Sequence, residues 1–362
     1  MAYQARQLGL AFNAVLGIIL SLILAFGAGT ILAGVGVADA LMQPARTYLQ
    51  IVGGFCILNA LIPICSSYLR AFGFSKEPLY ASIIGNVINF CLNAFFLFVL
   101  HKGVAGVATA TVVSRIINLV IVVLLGAVLV KAKKHPERES NREVMGQIIR
   151  IGLPSACETA IYNVSMTLVI RFLNQMDAQG LNVTARSYTM QITNFSYCVG
   201  AALAQANAIM TGWRIGAKEY DACDRGTRKA AIIGVIVAVI LETMFALCSG
   251  WIMQLFSKDP QMVSLVGKLL AIDIVLEMGR VTNLVYGQAL KTSGDAVFPV
   301  VMGACFMILC SVGGTYLFGI RLGLLAVGAY IGMAGDECVR AIGMYLRWKS
   351  GKWKQKGLVK SR

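Results

Sequence analysis

The chain has 362 residues, of which 57% are hydrophobic and only 14% charged, where a soluble domain carries about 25% charged residues; most of its side chains therefore do not face water, and its solvent is lipid. The net charge of +15 raises the question of nucleic acid, but Lys and Arg stand between apolar runs and at the C-terminus, the pattern of membrane loops, which excludes a nucleic-acid partner. Ten scattered cysteines, with Cys56, Cys91, Cys305 and Cys310 inside apolar runs and no C-x-x-C spacing, read as small hydrophobes, not as a disulfide framework or metal site.

A membrane-spanning helix needs about 20 predominantly apolar residues. Ten such runs follow one another along the chain: 8–33, 48–69, 79–100, 104–130, 149–173, 187–210, 230–255, 263–290, 298–318 and 324–346. They predict an all-α, polytopic transmembrane helix bundle of about ten spanning helices. The fifth and sixth runs are the least apolar. Strands of a membrane barrel would instead alternate over about ten residues. The first run is too long for the core of a signal peptide.

Loop charge supports this count, because Lys and Arg concentrate on the cytoplasmic side of short loops. The segment 131–150 carries Lys131, Lys133, Lys134, Arg138, Arg142 and Arg150, and the loop after the sixth run carries Arg214, Lys218, Arg225, Arg228 and Lys229. Arg70, Lys76 and Lys291, and the C-terminal Arg347 to Arg362, fall on the same side. The intervening loops are poor in charge, so both termini are expected in the cytoplasm.

The chain also resembles itself at an offset of about 220 residues. Tyr68-Leu69-Arg70-Ala71-Phe72-Gly73 aligns with Ala289-Leu290-Lys291-Thr292-Ser293-Gly294, and Pro78 with Pro299. Tyr48-Leu49-Gln50-Ile51 aligns with Leu269-Leu270-Ala271-Ile272, and Gly103-Val104-Ala105-Gly106-Val107 with Gly323-Leu324-Leu325-Ala326-Val327. Such repeats underlie many transporters and place the substrate site between the halves. The expected organisation is a partial N-terminal lobe of four helices at 1–130, a cytoplasmic linker at 131–148, a C-terminal lobe of six helices at 149–346 and a basic tail at 347–362. Runs five and six have no counterpart in the first half, so a full first repeat would need roughly 75–85 further residues.

These phrases resemble the multidrug and toxic compound extrusion (MATE) family. Ser67-Tyr-Leu-Arg-Ala-Phe-Gly73 with Pro78 is similar to that family's fourth-to-fifth-helix loop, and the stretch from Val104 to Arg115 to its sixth helix. Ile151-Gly-Leu-Pro154 is similar to the start of the seventh helix. Ala202-Leu-Ala-Gln-Ala206 with Gly212 and Ile215-Gly-Ala217 is similar to the end of the eighth, and Ala289-Leu-Lys-Thr-Ser-Gly-Asp295 with Pro299 repeats the fourth-helix phrase. The family has twelve helices in two lobes of six, so the chain looks like helices three to twelve. The resemblance implies efflux of drugs or organic cations in exchange for Na⁺ or H⁺, with no other cofactor. It implies a multi-pass protein of the plasma (inner) membrane working as a monomer on small cationic substrates.

An antiporter needs a group that binds a cation or proton in one state and substrate in another, and a carboxylate in low dielectric is such a group. Glu158, four residues after Pro154, is the first candidate for coupling or substrate binding; its plainer reading is an acid paired with Arg171 or Arg340. Asp273, Glu277 and Arg280 share one helical face by their i,i+4 and i,i+3 spacings. They read either as a cation or proton site, or as a Glu277–Arg280 pair that leaves Asp273 the freer acid. Asp336 and Glu337 with Arg340 repeat that geometry on the last run, as a cavity element or a structural pair. Glu242, alone on the seventh run, reads as a local pairing. Arg115, deep in the first half, is expected against a helix C-terminus or acids of the missing helices. Asn163 and Gln205, with Gln191, Asn194 and Asn283, either line the cavity or join helices by hydrogen bonds.

His101 and His135 lie in or beside loops, which removes histidine-based metal sites and catalytic triads. The absence of G-x-x-x-x-G-K-[ST] excludes ATP hydrolysis by this chain, and no nucleophile constellation indicates an enzyme. Two alternatives remain: a lipid-linked precursor or polysaccharide flippase of similar architecture, and an inactive fragment of such a transporter. A flippase would favour several cations lining its cavity, whereas the acids within these runs outnumber the bases.

Overall fold

A computed structural model describes residues 2–35, 39–130, 140–177 and 180–355. The basic residues Lys131, Lys133, Lys134, Arg138, Lys356, Lys360 and Arg362 lie outside the described residues. Among the described residues there is no strand. The chain divides into two compact units, 1–148 and 149–362.

The first unit contains α1 (Ala2–Val35), α2 (Asp39–Tyr48) running through a π turn (Leu49–Gly53) towards α3 (Ile57–Ala71), α4 (Lys76–Ala94) with a π turn at Phe95–Val99, and α5 (Gly103–Leu129). The chain crosses from one unit to the other within α6 (Asn141–Met176). The second unit continues with α7 (Leu181–Gly216), α8 (Tyr220–Leu247), the short α9 (Ser249–Met253), α10 (Pro260–Thr292), α11 (Val297–Phe306) with π segments at Met307–Val312 and Thr315–Arg321, and α12 (Leu325–Lys349).

Eight of the ten apolar runs read from the sequence fall in one of these helices or in a helix extended by π turns, whereas 48–69 crosses the break between α2 and α3, and 230–255 runs from α8 through α9. The helices are longer than the runs, because apolarity marks the part in hydrocarbon and not the whole hydrogen-bonded rod. At 36 residues each, α6 and α7 extend about 54 Å at 1.5 Å per residue, well beyond a hydrocarbon core of about 30 Å. The second half of the segment read as a linker is therefore helix from Asn141 on, after a Ser140-x-x-Glu143 pattern of the capping-box type. At the far end of α6, Asp177 seeds α7: its carboxylate accepts from the Leu181 and Asn182 backbone N–H groups, each at 3.0 Å. Slight burial pushes this carboxyl up, but the N–H donors outweigh it and hold the group below its ordinary value.

By length and composition, five helical stretches can cross a membrane: Arg6–Ala33, Lys76–Val99, Gly103–Leu129, Tyr220–Leu247 and Val297–Arg321. The bent pair Met42–Gly53 and Ile57–Ala71, at 41°, makes a sixth when counted as one span and is otherwise a re-entrant loop. Large apolar side chains on these stretches, such as Phe90, Phe98, Ile240 and Leu247, are exposed; lipid is the solvent that accepts such a surface. The remaining long helices, α6, α7, α10 and α12, are the polar ones.

The sequence repeat has a conformational counterpart. Gly73 and Gly294 each adopt φ 90°, where a side chain would be strained. Each closes its preceding helix with the same bond, Phe74 N–H to Leu69 O in one unit and Asp295 N–H to Leu290 O in the other. The π turn at Phe95–Val99 recurs at the start of Thr315–Arg321.

In the second unit α10 packs against α7, α8 and α12. The α10–α12 crossing is tight at Gly279, where a Cβ would stand 2.8 Å from the Cys338 N. The packed body also runs past residue 346, where the basic tail was expected to begin. Trp353 is buried, stacks on Trp348 with centroids 4.1 Å apart, and donates its indole N–H to the Trp348 carbonyl.

Candidate functional site: a charged cavity in the second unit

A cavity of about 710 Å³ is lined entirely by the second unit, a volume in the range of small-molecule sites. The four polar helices supply most of its wall. Glu158, Tyr162 and Met166 come from α6; Arg186, Met190 and Tyr197 from α7; Asp273, Arg280 and Lys291 from α10; Tyr330, Asp336 and Arg340 from α12. Pro299, Met307 and Ser311 of the α11 stack complete it.

Most of the charges in this wall are paired. Arg340 holds Asp336 through two bonds of 2.9 Å and reaches Glu337 at 2.9 Å. The Ser311 hydroxyl donates to Asp336 at 2.9 Å. Arg280 binds Glu277 one turn before it and approaches Glu337 at 3.5 Å. Asn283 donates to Glu337 at 3.0 Å, tying α10 to α12. Lys291 binds Glu158 at 2.6 Å, tying α10 to α6. Bidentate and charge-assisted bonds of this kind are what make buried charges tolerable.

Four buried groups depart from this pattern. Asp273 is 2% exposed, and its Oδ2 has no hydrogen-bond partner. Glu277 is fully buried; its Oε1 meets Arg280 while its Oε2 has no partner. Glu242 of α8 is also fully buried, with neither carboxylate oxygen hydrogen-bonded. It lies behind the cavity wall, within electrostatic reach of Asp273, Glu277 and Arg280. Arg186 is the fourth, a guanidinium whose Nε has no acceptor.

The structure thus brings Asp273, Glu277, Asp336, Arg280 and Arg340 into one neighbourhood, and Glu158 and Asn163 into the same cavity wall. Several expected placements change. Glu158 pairs with neither Arg171, which is exposed, nor Arg340, which is engaged by Asp336 and Glu337; its partner is Lys291, read from the sequence as a loop residue. Glu242 makes no ion pair with a described residue, because the charged groups facing it are the acids Asp273 and Glu277 and an Arg280 already bound elsewhere, beside the neutral Ser196 hydroxyl. Gln205 and Gln191 are exposed and do not line the cavity. Asn163 does, though its amide bonds the Thr159 carbonyl one turn back, at 2.9 Å. Arg115 sits half-buried in the first unit with no ion pair to a described residue. The cavity's acids also do not outnumber its bases: Glu158, Asp273, Asp336 and Glu337 face Arg186, Arg280, Lys291 and Arg340. The sequence count missed Arg186 because it lies at the edge of the sixth run. Its signal was an arginine just before an apolar run, on the side otherwise poor in charge. No group of three His, Cys, Asp or Glu side chains among the described residues is spaced to hold a metal ion.

Long apolar helices in both units, with a charged cavity inside the second, define a multi-pass membrane protein of transporter architecture. The chain belongs to the MatE family, whose model matches residues 1–95 and 154–317. A Bacillus subtilis protein described as the uncharacterized transporter YisQ is 33% identical over 99% of this chain and 80% of its own length. A Thermotoga maritima protein described as the probable multidrug resistance protein NorM is 23% identical over 87% of this chain and 68% of its own. A MOP-superfamily transporter from Pyrococcus furiosus, described as having a binding pocket of reverse polarity, shares the fold with a TM-score of 0.88 at 18% identity, covering 99% of this chain and 83% of that one.

Proposed function

We propose that the chain is a secondary active transporter that extrudes small organic, mainly cationic, compounds in exchange for Na⁺ or H⁺, by alternating access between its two lobes. It works as a monomer in the plasma (inner) membrane, with both termini in the cytoplasm. One observation carries the reading: Asp273 is buried, lacks a partner on Oδ2, and still borders a cavity large enough for a drug-sized solute. An ionisable group with no ion pair inside a membrane is a functional residue by default. A proton or a hard cation would supply the missing partner, and an organic cation could displace it. Glu277 and Glu242 extend the same acidic region, while the Lys291 bond occupies Glu158. Membership of the MatE family, and relatives described as multidrug resistance proteins, support efflux over flipping of a lipid-linked precursor.

The test uses the full chain in proteoliposomes loaded with ethidium, with Na⁺ and pH gradients imposed separately. Ethidium movement should follow one of the two gradients, and Asp273→Asn should abolish the gradient-driven part. Wild-type rates in the variant would remove Asp273 from the mechanism; no response to either gradient would remove antiport.

A further inference from the structure

The cavity holds a second charge that its own fold does not answer. Arg186 of α7 is 7% exposed. Its Nη2 reaches only the Met166 thioether, at 3.6 Å, a weak acceptor; its Nε has none, and no described carboxylate pairs with it. A guanidinium cannot escape this by losing its proton, because it stays charged in proteins. The other cations of the wall are answered: Lys291 by Glu158, Arg280 by Glu277 and Glu337, Arg340 by Asp336 and Glu337.

Asp273 is the mirror case, an acid lacking an ion pair in the same wall. The two do not neutralise each other. Tyr330 of α12, 2% exposed, stands within electrostatic reach of both. The cavity therefore presents two unlike poles near one tyrosine ring, in a lining that also includes Met166, Met190, Leu276 and Met333, adaptable apolar side chains. A permanent organic cation answers the Asp273 pole alone and leaves Arg186 desolvated and bare, which is unfavourable.

We infer that Arg186 is the anion-recognising residue of the substrate site, and that this cavity takes an amphoteric solute. Its carboxylate lies on the fork of Arg186 and its cationic group at Asp273, with an apolar or aromatic body between them. The inference rests on the transport reading for the cavity's role and adds the anionic end of the cargo. A zwitterionic lipid headgroup offers the same two charges, and the experiment separates the two sources.

Equilibrium binding to the purified full chain would use two dyes with one xanthene scaffold: rhodamine 110, with a free carboxylate, and its methyl ester, rhodamine 123. The wild-type chain should bind the acid at least about ten-fold more tightly, the scale of one charge-assisted hydrogen bond. Arg186→Gln should erase that preference, and Arg186→Lys should retain part of it. Equal binding of acid and ester by the wild type, or an unchanged preference in Arg186→Gln, would overturn the inference. The wild-type comparison needs no variant, so a misfolded Arg186→Gln leaves it decisive. Repeating the measurement with phosphatidylethanolamine vesicles added should leave acid binding unchanged; displacement by the lipid would give the two poles to a headgroup and reject the solute. Ethidium transport that persists while the acid preference fails would separate this inference from antiport itself.

Discussion

The two units repeat one backbone plan with opposite chemistry at corresponding positions. At the repeat offset, Asp273, Glu277 and Arg280 of α10 stand where Val52, Cys56 and Asn59 stand in the first unit; Asp336, Glu337 and Arg340 of α12 correspond to Ile116, Ile117 and Val120 of α5. The first-unit copy of α10 is broken, with Pro44 in α2, Pro63 in α3 and a 41° bend between them, whereas α10 is one 33-residue helix. The plan therefore forms without the charges. Buried ion pairs are weak contributors to stability, so their concentration in one copy points to the work of the cavity and not to folding.

Four experiments would break or sharpen this comparison. Arg340→Leu leaves Asp336 and Glu337 buried without their main counter-ion and should destabilise the chain by about 3–5 kcal/mol. Val120→Leu, the counterpart in α5, should stay within about 0.5 kcal/mol. Thermal unfolding in detergent reads both, and equal shifts would mean the two positions are equivalent after all.

Importing the first unit's residues as the triple change Asp273→Val, Glu277→Cys and Arg280→Asn removes the α10 charges together. Stability should be neutral or higher, by up to about 4 kcal/mol, while gradient-driven ethidium movement disappears. A chain that no longer folds would show the charges to be structural.

Gly332→Val imports Val112 into α12. A Cβ there would stand 2.9 Å from the Cys310 carbonyl and 3.0 Å from the Thr315 nitrogen, so a loss of about 1–3 kcal/mol is expected. Val112 in the first unit is accommodated at the same repeat position. A Tm equal to that of the wild type would show that the second crossing can open as far as the first.

The smallest effect belongs to Asp177, at the start of α7. Its folded pKa lies below the ordinary value, so its contribution is present above about pH 4 and fades as pH falls through the folded value. Asp177→Asn should lower stability by about 1 kcal/mol at pH 7 and flatten the acid limb of the Tm–pH curve. Parallel wild-type and variant curves would exclude the carboxylate.

The chain alone determined the all-α polytopic bundle, the repeat and the family, because each is carried by local or regularly spaced signals: apolar length, the Gly73 and Gly294 turns, and ordered phrases. It also determined the pairs within one helix, Glu277 with Arg280 and Asp336 with Arg340, because i,i+3 and i,i+4 positions meet on any helix. Only the tertiary structure decided that Lys291 meets Glu158 across 133 positions, that Asn283 reaches Glu337, and that Arg186, Asp273 and Glu242 lack ion pairs. Those outcomes depend on how far each helix is rotated and slid against its neighbours. Contacts such as Gly279 against the α12 backbone fix that register, and no periodicity in a single helix records it.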